Sequence, residues 1–216
     1  MADDIVNVKG IRGMLPPSRS TTLPILAIAT HVEITILYDK YEMRFSQTGS
    51  PISTLTAGID VSESPSWDPD TGLRDLVECF GRAPLTSLTV GILHPHLVVD
   101  AWERVFRTFP LLEDLDIDGE YEFSQVFLGL HAASSKEHEG SSVACPNLRQ
   151  VSAVGLGVTE AYEAMRECFQ YRADRGARLQ VLDLSMLVNK DLPSETLCGF
   201  VADLRQAVEC LRVEDN

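Results

Sequence analysis

A chain of 216 residues, 44% hydrophobic and 23% charged, lies in the globular range and can bury a core without disulfides or a structural metal. Its formal net charge of -14 would repel phosphate backbones and anionic lipid surfaces, which disfavours nucleic-acid and membrane partners. The same charge is compatible with a basic protein partner, and equally with acidity that only keeps the chain soluble.

The N-terminus, MADDIVNVKG, carries two acidic residues where a signal peptide needs positive charge. No apolar run reaches the roughly 18 residues of a membrane span, so the expectation is a soluble protein of the cytoplasm or nucleus. Residues 1–22, with Pro16, Pro17 and the run SRSTT, are expected to be a poorly ordered segment. In residues 23–66, strand-like runs from His31 to Tyr38 and from Glu42 to Ser46 are separated by three residues, which predicts a β-hairpin. A third run, Ile52 to Val61, holds the frame Ile52/Leu55/Ala57 and is expected to lead into the repeats that follow. The stretch SESPSWDPD reads as a loop, with Asp70 or Thr71 placed to cap a helix.

From residue 67 onward one pattern recurs. Five segments share the spacing apolar-x-x-apolar-x-apolar: Leu85/Leu88/Val90, Leu112/Leu115/Ile117, Leu148/Val151/Ala153, Leu179/Leu182/Leu184 and Val208/Leu211/Val213. Their first residues lie 27, 36, 31 and 29 positions apart. Within each, the last two apolar residues are two apart, as a strand with one buried face requires. Ahead of each frame runs a helical stripe at i, i+3, i+4 and i+7: Leu73/Leu76/Val77/Phe80, Trp102/Val105/Phe106/Phe109, Phe123/Val126/Phe127/Leu130, Ala161/Ala164/Met165/Cys168 and Leu197/Phe200/Val201/Leu204. Pro84, Pro110 and Pro146 separate helix from strand, and Gly176 is placed as a C-cap. The polar stretch Ser134 to Ser142 is expected to be a loop that accounts for the longest interval.

A helix-to-strand unit repeated about every 30 residues makes parallel neighbours with all helices on one side. The predicted fold class is therefore α/β: a leucine-rich-repeat-like solenoid over residues 67–216, strands concave and helices convex, preceded by the hairpin. A doubly wound parallel sheet is the competing architecture, but it shows no repeated strand frame.

Motifs for chemistry are sparse. Asp114, Asp116, Asp118 and Gly119 match positions 1, 3, 5 and 6 of a calcium-binding loop, yet position 12 is Gln125, and the same residues alternate with Leu115 and Ile117 on a repeat strand. His94 and His96 have no third ligand nearby in sequence and read as a turn leading into a helix. The piece Gly155 to Gly157 lacks the spacing of a phosphate loop, and no catalytic motif occurs, so neither a cofactor, a metal nor an enzyme is expected. Trp102, Phe106 and Met165 belong to helix stripes and read as core. Five cysteines without CxxC spacing are expected to be reduced and mostly buried.

The segments PLTSLTV, AWERVFRTFPLLEDLDIDG, CPNLRQVSAVGL and YRADRGARLQVLDLS resemble, in order, successive repeats of the F-box-like proteins abundant in mushroom-forming fungi, over roughly residues 67 to 215. The resemblance implies a ubiquitin-ligase subunit whose repeats recognise the protein to be modified while an F-box docks on a Skp1-type adaptor. No F-box pattern is present, because Leu23-Pro24 is not followed by the required helical pattern, so adaptor binding by this chain alone is not expected. The general leucine-rich-repeat motif expects Asn or Cys eight positions after the first frame leucine, and the matching positions hold Leu93, Glu120, Leu156 and Leu187, so the asparagine ladder of a regular horseshoe is not expected.

If the frame residues point inward, the residues between them form a concave face: Ser87, Thr89, Asp114, Asp116, Asp118, Gln150, Ser152, Asp183 and Arg212. These are the candidate partner-binding residues, and their acidic centre would attract a basic protein segment. A small enzyme on an α/β sheet and a degenerate chain without activity are the alternatives.

Overall fold

The computed structural model describes residues 11, 15, 23–37, 40–47, 55–60, 70–92, 97–119, 123–135, 143–157, 159–188 and 194–215. After a single helical turn, α1 (Ile25–Ile28), the elements in chain order are β1 (His31–Ile36), β2 (Lys40–Ser46), β3 (Leu55–Asp60), α2 (Asp70–Phe80), β4 (Ser87–Ile92), α3 (Val99–Thr108), β5 (Asp114–Gly119), α4 (Ser124–Ser135), β6 (Gln150–Gly157), α5 (Thr159–Asp174), β7 (Leu179–Val188), α6 (Ser194–Ala207) and β8 (Val208–Asp215). The strands form one mostly parallel α/β sheet in the order β3-β2-β1-β4-β5-β6-β7-β8. From β4 to β8 each strand lies beside its predecessor in the chain, and every pair is parallel.

The register aligns the apolar frames across the sheet. Leu88, Leu115, Val151, Leu182 and Leu211 fall in one row, and Val90, Ile117, Ala153, Leu184 and Val213 in the next. All but the β8 members are buried, so β4 to β7 turn the same face to one continuous core, to which β1 and β2 also contribute. Helices α2 to α6 pack one against the next along that face. Their stripes supply the other half of the core, including Phe80, Trp102, Phe106, Phe127, Met165 and Leu204. Trp102 and Phe106 stack at 5.9 Å, and Phe127 meets Phe169 edge-on at 5.5 Å.

The main chain repeats the same join at each step. The carbonyl of Thr30 accepts the N–H groups of Thr86 and Ser87; Thr86 accepts from Glu113 and Asp114; Glu113 from Arg149 and Gln150; Arg149 from Gln180 and Val181, all at 2.8 to 3.1 Å.

Several expectations need correction. The strand beside the first repeat is β1, which pairs in parallel with β4, whereas the run Ile52 to Val61 supplies β3, paired antiparallel to β2 at the far edge. Eight residues separate β2 from β3, too few for the crossover a parallel pair needs, so β3 joins β2 antiparallel. Within residues 1–22, Ile11 is buried and donates its N–H to the Tyr41 hydroxyl at 2.8 Å; most of that segment lies outside the described residues. The Tyr41 hydroxyl in turn donates to the buried Asp75 carboxylate of α2. Asp70 and Thr71 are helical residues, so the cap falls outside the described residues, and Asp70 Oδ1 accepts instead from Val98 N–H at 3.3 Å. Ser134 and Ser135 close α4 rather than open a loop, since the buried Ser134 hydroxyl bonds back to the Leu130 carbonyl. Of the five cysteines, Cys145 and Cys168 are buried, Cys79 is intermediate and Cys198 and Cys210 are exposed.

Two features, one side chain and one backbone, fix the α4–β6 and α5–β7 joins. Arg172, 1% exposed, donates from Nη1 to the Ala144 carbonyl at 2.6 Å and from Nη2 to the Cys145 carbonyl at 2.9 Å, pinning the turn before β6. Gly176 adopts φ 76° and ends α5 as expected: Ala177 N–H reaches the Arg172 carbonyl and Gly176 N–H the Ala173 carbonyl. A Cβ at Gly176 would meet nothing within 4 Å, so Gly176→Ala is expected to cost about 1 kcal/mol through the left-handed backbone alone. An unchanged urea midpoint for this variant would contradict that origin.

Candidate protein-binding face

With the helices all on one side, the opposite face of the sheet carries the alternate residues of each strand, and the register sorts them into rows. One row runs His31, Ser87, Asp114, Gln150, Val181. The next runs Arg44, Glu33, Thr89, Asp116, Ser152, Asp183, Arg212. The third runs Glu42, Thr35, Gly91, Asp118, Val154, Ser185. All nine residues expected to share a face do share it, and none of them is buried. The expected set lacks the β1 and β2 members, which join the face because the hairpin belongs to the same sheet. The alternation of His31, Glu33 and Thr35 with the buried Val32, Ile34 and Ile36 is the signal that could have placed them.

Charge is unevenly distributed over this face. At the β1–β2 flank Arg44 pairs with Glu33 at 3.3 Å and Glu42 at 3.9 Å, and Lys40 pairs with Glu42 at 3.1 Å. At the β7–β8 flank Arg212 reaches Asp183 at 3.6 Å. Along β5, by contrast, Asp114, Asp116 and Asp118 have no ion pair to Lys or Arg among the described residues. Asp116 accepts a long hydrogen bond from the Thr89 hydroxyl, 3.5 Å, and Arg149, whose charge acts on Asp114, is bonded to Glu113 at 2.9 Å. The residues beside this stripe on β4 are small: Ser87, Thr89 and Gly91.

Asp114 shows the electrostatic consequence. Partial burial, and then the charges of Glu113 and Asp116, raise its carboxyl above the ordinary range, against the opposing pull of Arg149. A raised carboxyl binds its proton more tightly in the folded state, so it lowers stability as pH rises from the ordinary carboxylate range through the raised value. Asp114→Asn is therefore expected to stabilise the protein at neutral pH and to flatten stability against pH in that window. Denaturant midpoints at acidic and neutral pH check this, and an asparagine variant less stable at neutral pH would refute it.

The segment Asp114–Gly119 is strand β5, so its carboxylates project singly along a strand and not into a loop. Gly155 to Gly157 likewise belong to β6. His94 and His96 lie outside the described residues. On the helix side, a depression of about 540 Å³ is lined by His131, Arg166, Glu167, Tyr171, Asp174 and Asp203 among others. Its polar groups largely satisfy one another: Arg166 pairs with Asp203 at 3.6 Å, Gln170 bonds Asp174 at 2.8 Å, and Tyr171 stacks on His131. The buried thiols of Cys145 and Cys168 are pushed up to about 12 by burial, which keeps them protonated and poor nucleophiles.

The geometry thus defines a mostly parallel α/β sheet with one face packed and one open. No protein-family model, no curated protein and no solved structure matches the chain. No helix among the described residues is long and apolar enough to cross a membrane.

Proposed function

We propose that this chain is a protein-interaction module, a leucine-rich-repeat-like solenoid whose concave sheet face receives a basic segment of a partner protein. The observation that carries the reading is the β5 stripe: three carboxylates in successive rows of an uncovered face, unpaired with Lys or Arg among the described residues, between flanks where acids are matched by arginines. Such a stripe sets like charges side by side, Asp116 adding to the burial and the Glu113 charge that raise the Asp114 carboxyl, and a cationic segment laid over it relieves that repulsion. The resemblance to F-box-like repeats gives the reading its finer form: substrate-recognition repeats of the ubiquitin-ligase type.

A labelled extended peptide alternating lysine and serine tests the electrostatic part. It is expected to bind at low ionic strength, with affinity falling steeply as salt is added, while an acidic peptide of the same length does not bind. Equal binding of the two peptides, or basic-peptide binding indifferent to salt, would overturn the proposal.

A further inference from the structure

We draw no further inference here: the strongest candidate, the outer edge of β8 with exposed Val213 and half-buried Leu211 at the end of the helix-packed face, carries nothing because nothing in the structure shows what covers it.

Discussion

Leu115→Ala and Leu182→Ala are each expected to lose about 2 to 5 kcal/mol of stability, the range for truncating a fully buried leucine that leaves a cavity. Both side chains are 0% exposed, and both sit in the row Leu88, Leu115, Val151, Leu182, Leu211. Each is held by a parallel strand on either side and by the helical layer above, so the surroundings have little freedom to collapse into the space. The last member of that row gives an internal comparison. Leu211, on the edge strand, is only half-buried, so Leu211→Ala is expected to cost clearly less. Arg178→Ala, at an exposed position before β7, is expected to stay within about 0.5 kcal/mol of the parent. Thr86 is not a suitable control, since its hydroxyl donates to the Thr30 carbonyl at 3.2 Å. Urea midpoints that rank Leu211→Ala with or above the two central variants would show that the row does not form the core.

What the sequence revealed and what it hid divide along physical lines. The repeats were legible because each strand has one buried face and each helix one buried stripe, and those two periods survive in a single sequence. The hairpin was legible for the same reason, and Gly176 because only a left-handed residue ends a helix that way. The parallel pairing of β1 with β4 was not legible. It joins residues 56 positions apart through main-chain bonds that leave no side-chain signature. The buried Ile11 and its bond to Tyr41 were hidden in a segment whose prolines and polar residues dominate the local pattern. Arg172 was hidden for a different reason: an arginine four residues beyond Cys168 continues the α5 stripe inward, and a charged residue there reads as solvent-facing until its carbonyl partners are seen. On the open face, alternation puts all nine expected residues on one side of the sheet. Which acids are neutralised depended on cross-strand neighbours such as Arg44 opposite Glu33, and pairing of that kind is set by register.

Replacing Asp114, Asp116 and Asp118 together by lysine is expected to abolish binding of the basic peptide and capture of the natural partner, with the melting transition close to that of the parent. The three side chains lie on the open face, so the substitution leaves Leu115, Ile117 and the packed side of β5 untouched. The substitution also shifts the net charge of the whole molecule, and a general loss of long-range attraction could imitate the loss of a site. A second variant separates the two effects: Glu160, Glu163 and Glu167, all exposed on α5 in the helical layer, changed to lysine carry the same change in net charge away from the open face. If the β5 stripe is the binding surface, the α5 variant keeps its binding with at most a modest slowing of association at low salt, while the β5 variant loses it at every salt concentration. Equal losses in the two variants would reduce the acidic face to a contribution to overall charge. Unchanged capture by the β5 variant would move the binding site off this face altogether.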